Sequence, residues 1–347
     1  MTSVGVFFGG RSVEHEVSVI TALQVMAAMP ASCAVIPVYI AKSGFWYSGD
    51  GLTKLDAYRD IDSLLQRCAR VTLRPEPDGG RLYESQARRG LLGGSSPREL
   101  ATLDVAMPLV HGTGGEDGTL QGLFELADLA YTGCGVAAAA ISMDKRATKA
   151  AFRSVGLPVL PDILVRRLHW QAEPDAVIHD VGRSLSFPVF VKPSSLGSSI
   201  GVNRAGDVQS LRAALDTALT YDSHAIVEPA QESIIEINCS VLGRGDDVRC
   251  SACEQPHATG LLTYEDKYLS KGGPKAAPSG MKGAQRVIPA PIGSDLTKRI
   301  EDAAASAFHA IGAEGVARID FLVREETGAF IVNEINTIPG SLSFYLW

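Results

Sequence analysis

The sequence predicts an α/β protein whose N-terminal part is built on a parallel sheet with crossover helices. Two observations predict it. A strand-like apolar run, "VGVFFGG", ends in a glycine turn and passes into "EHEVSVITALQVMAAM", where apolar residues recur at helical spacing. A second apolar run, "AVIPVYI" at 34–40, follows. Strand, helix and strand in that order join parallel neighbours. At 347 residues and 46% hydrophobic, the chain has material for two or three domains.

The remaining elements follow in order. Between 54 and 103 the pattern weakens, and "PEPDGG" and "LLGGSSPREL" read as turns in a partly exposed region. "DVAMPLVHG" is a strand, and "GEDGTLQGLFELADL" is a helix whose acidic start suits its N-terminus. The Ala-rich "VAAAAISMDKRATKAAFRSVG" reads as one helix at the end of a first domain, 1–147. A second domain, 148–230, contains "FPVFVKPSSLGSSIGV", a helix from Asp207 and the strand "HAIVEPA"; a third covers 231–347.

Composition narrows the function. A formal net charge of -7 argues against a nucleic-acid partner, since such proteins gather basic patches to neutralise phosphates. The N-terminus carries no basic leader, and no stretch reaches the roughly 18 apolar residues of a membrane span, so a cytoplasmic protein without a membrane partner is expected. The six cysteines are scattered except in "CSAC", which sits in a strand-like run with no helix start to lower a thiol pKa and reads as structural.

The chemistry concentrates in short motifs. In "ARIDFLVREETGAFIVNEINTIPG", Arg318 and Asp320 share one strand face, and Glu334 and Asn336 share another. If "REETGA" turns the chain, the strands pair antiparallel and Asp320 meets Glu334. Paired carboxylates repel, so a cation between them is expected, and an oxygen-only donor set favours Mg²⁺. The plainer alternative is a hairpin whose polar face is merely solvated.

In "FPVFVKPSSLGSSIGV" an apolar strand delivers Lys192, and the Ser- and Gly-rich loop after it suits backbone N-H groups that approach phosphate. The Lys precedes the glycines and another strand follows, so this is no Walker A loop. "GSSIG" matches G-x-S-x-G with Ser199 as a nucleophile, the serine-hydrolase alternative; an elbow, however, needs a helix directly after the Ser. "GGRSVEHEVS" places Glu14 at a helix start, where it can pair with a substrate amine, and "HGTGGEDGTLQG" sets His111 and Glu116 in a second glycine-rich turn. The long Gly- and Pro-rich run "LLTYEDKYLSKGGPKAAPSGMKGAQRVIPAPI" is basic through Lys267, Lys271, Lys275, Lys282 and Arg286, as an exposed loop or as a lid over a polyphosphate.

Taken in order, these motifs, with "MDKRATK" and "YEDKY", resemble the D-alanine:D-alanine ligases of the ATP-grasp superfamily from Val4 to Pro339. The resemblance implies a three-domain ATP-grasp fold with a Rossmann-like N-terminal domain, a cytoplasmic homodimer, and ATP-dependent synthesis of D-alanyl-D-alanine for peptidoglycan. It implies that Lys145, Lys192 and Lys267 hold the ATP phosphates, that Ser199 also binds ATP, that Glu228 lies at the adenine and Glu236 near the ribose. Asp320, Glu334 and Asn336 would hold two Mg²⁺ ions, with Mn²⁺ as a substitute. Glu14 would take the ammonium of the first D-alanine, with His111 and Glu116 around it, and Ser198 and Tyr268 would link Glu14 to the lid. Arg318 and the N-H of Gly340 would stabilise the oxyanion.

The C-terminus departs from the family's pattern. "SLSFYLW" puts Tyr345, then Leu346, where the family has a serine that grips the second D-alanine's carboxylate. The altered lid is similar to that of relatives making D-Ala-D-Ser or D-Ala-D-lactate, so another second substrate, including one of a specialised dipeptide pathway, is the alternative. A nucleotide-binding protein without catalysis is the distant one. The chain stops at Trp347, where the family runs on through a closing helix, which implies truncation.

Overall fold

A computed structural model describes residues 1–77, 79–85, 98–197, 199–256 and 286–347. Among these, the chain forms two compact units, one from 1–139 with 338–344 and one from 140–256, 286–337 and 345–347.

The first unit is a seven-stranded sheet of β1 (Thr2–Gly9), β2 (Cys33–Ile40), β3 (Trp46–Ser48), β4 (Ala69–Leu73), β5 (Arg81–Glu84), β6 (Glu99–Thr102) and β7 (Val105–Pro108), in the order β6-β5-β4-β3-β2-β1-β7. β1 pairs parallel with β2 and with β7, as the crossover pattern predicts. Six consecutive residues of β1 are buried, the signature of a strand covered on both faces. Phe7 packs edge-on against Trp46 and Phe124 in this core. From β2 outward to β6 every pairing is antiparallel. The sheet thus grows through the stretch that the sequence left unassigned, because strands of three to five residues carry too few alternations to read.

A glycine-rich corner ends β1. Gly9 has φ +90°, and a Cβ there would strike the Ile40 carbonyl, so only glycine ends β1 in this way. Its N-H donates to Ser18 Oγ at 2.7 Å, and that hydroxyl donates to the Leu109 carbonyl at 2.6 Å, tying helix His15–Ala28 to the corner. His15 is buried, its Nδ1 2.6 Å from Gly10 O and its Nε2 2.9 Å from Tyr39 Oη. Burial holds the His15 pKa below its ordinary value, outweighing the Gly10 carbonyl and Glu16, which raise it, and Lys42 lowers it further. A depressed His pKa means that the unfolded chain takes up the proton first. The His15 contribution to stability is therefore present above the unfolded pKa of about 6.5 and lost as pH falls through the lower folded value. Thermal unfolding from pH 7.5 to 5 should show an acid-side loss that His15→Asn reduces.

The second unit carries two antiparallel sheets. One contains β8 (Ile163–Arg166), β9 (Val189–Pro193), β10 (Asn203–Ala205) and β11 (His224–Pro229), in the order β10-β9-β11-β8. The other contains β12 (Ile234–Arg244), β13 (Asp247–Cys250), β16 (Gly315–Arg324) and β17 (Phe330–Asn336), in the order β13-β12-β16-β17, with β14 (Gln255–Pro256) and β15 (Arg286–Val287) as a separate pair. Helices Pro174–Ser184 and Val208–Tyr221 bury Val177, Val181, Leu211 and Leu215 against Val189 and Val191 of the first sheet. The Ala-rich segment expected as one helix is two, Val136–Met143 and Lys145–Ser154. Asp144 divides them: it is extended, and its Oδ1 accepts from the N-H groups of Arg146 and Ala147, both at 2.9 Å. An Asp N-cap starts a new helix more readily than it continues an old one. The thiols of Cys250 and Cys253 are free.

Candidate active site

β16 and β17 form the hairpin expected from the sequence, with Arg318 opposite Asn336 and Asp320 opposite Glu334. Arg318 Nε and Nη2 each donate to Asp320 at 2.7 Å, a two-pronged pair, and Asn336 Nδ2 donates to Asp320 Oδ2 at 3.1 Å. Asp320 is 3% exposed, which rules out a merely solvated polar face. Burial pushes its carboxyl up to about 7; Arg318 pulls it down, while the charges of Glu334 and Glu236 push it further up. Burial by itself would lower the Arg318 pKa, but the Asp320 carboxylate more than offsets this and raises it. Glu236 lies exposed on β12.

The donors of this hairpin suit a hard cation: two carboxylates and an amide, with an acid whose charged form is held back by burial and by other negative charge. Among the described residues, no group of three or more His, Cys, Asp or Glu is placed to hold a metal ion, so the candidate set is the two acids with Asn336.

Beside the hairpin, Tyr345 donates to Glu254 Oε1 at 3.2 Å, and Arg286 reaches Glu254 Oε2 at 3.0 Å with its guanidinium 4.0 Å from the Tyr345 ring centroid. Burial raises the Tyr345 pKa, with Arg318 acting against it. Arg286, grouped in the sequence with the basic loop, instead lies in β15. Glu254, 1% exposed, was missed, since its only sequence signal is an acid after "CSAC". Leu346 is buried.

A second cluster lies where helix Lys145–Ser154 meets β9 and β11. Lys192 and Glu228 share a face of that sheet as diagonal neighbours, since Ile226 pairs with Lys192. Lys192 Nζ is 2.6 Å from Glu228 Oε2, and Lys149 Nζ donates to Glu228 Oε1. Burial lowers Lys192 to about 8, helped by Lys145 and opposed by Glu334. Lys145 donates from its side chain to Leu196 O and from its backbone to Ser194 O at 2.9 Å, which fixes the start of the loop after β9. Lys149 was also missed; its signal is the i,i+4 spacing from Lys145, which puts both on one helix face.

In that loop Ser199 has φ 58° and lies in a turn, and the next element is the strand β10, with a helix only from Val208. Among the described residues Ser199 is not followed directly by a helix, so it does not sit on a nucleophile elbow, which removes the hydrolase alternative.

In the first unit, Ser12 Oγ donates to the His111 carbonyl at 2.6 Å and accepts from the Glu14 N-H at 3.2 Å. His111 Nε2 is 3.0 Å from Thr21 Oγ1, which accepts from the Ser341 N-H at 3.1 Å. Glu116 Oε2 accepts from the Gly112 N-H at 2.7 Å and Oε1 from the Ile338 N-H at 3.1 Å. Glu116 therefore ties the glycine-rich turn to 338–344. Helix Thr119–Leu126 begins after Gly118, so Glu116 and Asp117 precede it, where the sequence placed them inside its first turn. Gly340 opens the segment Gly340–Leu346, which kinks through Ser341, Leu342 and Ser343, all with positive φ. Ser198, Lys267, Tyr268, Lys271, Lys275 and Lys282 lie outside the described residues.

The chain matches the sequence model of the D-ala D-ala ligase N-terminus over residues 3–134 and that of the D-ala D-ala ligase C-terminus over 151–347. It is 39% identical over 347 residues to a D-alanine–D-alanine ligase of Pseudarthrobacter chlorophenolicus, covering 97% of this chain and 86% of the relative. To that of Chlorobium phaeovibrioides it is 34% identical over 341 residues, covering 97% and 88%. Among solved structures, the VanG D-Ala:D-Ser ligase from Enterococcus faecalis superimposes with TM-score 0.79 at 27% identity, covering 99% of this chain and 92% of that one. The D-alanine-D-alanine ligase from Coxiella burnetii gives TM-score 0.78, also at 27% identity, covering 99% and 86%. With both family models matched in order, and with the ATP-grasp pair of antiparallel sheets, the chain belongs to the D-alanine–D-alanine ligase family.

Proposed function

We propose that this protein joins two D-alanines into D-alanyl-D-alanine for peptidoglycan precursors, with consumption of ATP. The observation that carries the reading is the β16–β17 hairpin, where Arg318 pairs with the buried Asp320 opposite Asn336 and Glu334. A mere nucleotide binder has no use for a half-buried guanidinium beside a carboxylate set.

The carboxylate oxygen of the first D-alanine bonds to the γ-phosphorus of ATP, and ADP leaves with the electrons of the broken P-O bond. Lys145 and Lys192 hold the phosphates, with Glu228 at the adenine and Glu236 near the ribose. Glu14 pairs with the ammonium of the first D-alanine. The deprotonated amine of the second then bonds to the acyl carbon, the bond from that carbon to the phosphate oxygen breaks with its electrons on the oxygen, and the departing phosphate carries off the proton that the nitrogen sheds. Arg318 and the Gly340 N-H take the negative charge that grows on the acyl oxygen. Asp320, Glu334 and Asn336 hold divalent cations, Mg²⁺ or Mn²⁺, which supply neutralisation of phosphate charge when bound. A three-domain arrangement of the chain as 1–147, 148–230 and 231–347, a homodimeric state and a cytoplasmic site belong to the same proposal. No described helix is long and apolar enough to cross a membrane.

The test is phosphate release from Mg-ATP with D-alanine alone, then with added D-serine or D-lactate, each product being identified by mass. Dipeptide from D-alanine alone is expected; phosphate released only with a second compound would reassign the acceptor that Tyr345 serves. A second expected result concerns Gly112, whose φ is +72° and where a Cβ would stand 2.5 Å from Glu14 Oε2. Gly112→Ala should displace that carboxylate and raise the KM for D-alanine roughly tenfold, a shift worth about 1.4 kcal/mol, in steady-state assays.

A further inference from the structure

Lys149 has no task in the reaction just described, yet it is 4% exposed and directs its charge at a buried carboxylate. Glu228, 2% exposed, has two ammonium neighbours, and they are held differently. Lys149 donates to Glu228 Oε1 and also to Leu160 O at 3.2 Å, so it is anchored twice. Lys192 stands 2.6 Å from Oε2, but that oxygen accepts no aligned hydrogen bond, and the contact is one of charge alone. Lys192 is also the more exposed of the two, with 18% side-chain exposure against 5% for Lys149.

This asymmetry matters when nucleotide arrives. Lys192 already feels charges other than that of Glu228, since Lys145 repels it and Glu334 attracts it. If Lys192 were the only counter-ion of Glu228, turning its ammonium to a phosphate would leave a buried carboxylate bare, a strongly unfavourable state. A second, fixed ammonium removes that penalty. We propose, on the reading that Lys192 holds ATP phosphate, that Lys149 is a positioning residue: it serves as a second, separately anchored counter-ion of Glu228 and so releases Lys192 for the nucleotide.

The charged groups facing Lys149 are Glu228 on β11, Lys192 on β9, Arg153 on its own helix and Asp162 before β8. Burial pushes Lys149 down to about 7; Asp162 opposes this, and Lys192 and Arg153 add to it. Its hold on Glu228 should therefore weaken as pH rises above neutrality, whereas an arginine in its place would keep its charge.

The experiment is calorimetric titration of the full chain with a non-hydrolysable ATP analogue and Mg²⁺, at pH 6.5 and 8.5. Lys149→Met should weaken binding roughly tenfold at pH 6.5, and Lys149→Arg should bind within about threefold of the parent. In a Glu228→Gln background, with no carboxylate left to neutralise, the Met change should alter affinity by less than about twofold. Equal affinity of the parent and Lys149→Met, or an undiminished Met effect in the Glu228→Gln background, would overturn the role of Lys149 and leave the ligase reading intact. A parent chain that binds no nucleotide would overturn the reading itself. Should the Met variant not fold, the pH arm decides: affinity should fall more steeply to pH 8.5 in the parent than in Lys149→Arg, and equal declines would overturn the proposal.

Discussion

Arg318→Ala is expected to lower kcat about 10²–10³-fold while changing the KM for ATP only slightly, because the guanidinium is assigned to charge that develops on the acyl oxygen. The same change removes both hydrogen bonds that Arg318 makes to a carboxylate 3% exposed. Breaking a buried pair from one side costs about 3–5 kcal/mol, so a fall in thermal midpoint should accompany the loss of rate. Arg318→Lys separates the two effects. It keeps a charge near Asp320 but loses the two-pronged geometry, so stability should recover more than turnover does. A kcat within tenfold of the parent in the alanine variant would remove Arg318 from the reacting centre. Phosphate-release kinetics and calorimetric unfolding on the same preparations give both readouts.

Glu334→Gln is expected to abolish turnover, by roughly 10³-fold or more, with the fold retained, because it deletes one of two carboxylates assigned to the divalent cation. Near-normal rates would sink that assignment. A readout independent of rate comes from Asp320, whose carboxyl is raised to about 7, first by burial. A carboxyl raised above its unfolded value of about 3.9 contributes stability that is complete below that pH and lost as pH climbs through about 7. The parent should therefore be stabilised by added Mg²⁺ more strongly at pH 8 than at pH 5.5, where Asp320 holds a proton. In Glu334→Gln the Mg²⁺-dependent rise in thermal midpoint should shrink at both values. An unchanged rise in the variant would place the cation elsewhere.

Much of this was legible along the chain because it is local. The alternation of Arg318, Asp320, Glu334 and Asn336 fixes which side chains share a strand face, and the turn between them brings those faces together whatever the rest of the molecule does. The parallel start of the first unit was legible for the same reason: β1 is long and continuously apolar. The wing from β3 to β6 was not, since its short strands owe their existence to edge-to-edge pairing with a sheet already formed.

The family's motifs, their order, the hairpin and the strand that delivers Lys192 can all be read along the chain, because period and turn chemistry act over a few residues. What those charges face emerges only from packing. It set Lys149 and Lys192 on one carboxylate, Arg286 and Tyr345 on Glu254, and Glu116 on the backbone of Gly112 and Ile338. Separations of 79 and 222 residues along the chain, for Lys149–Glu228 and Glu116–Ile338, carry no periodic signal. Burial then sets the sign of each shift, lowering the lysines and raising Asp320, and burial exists only once the chain has packed.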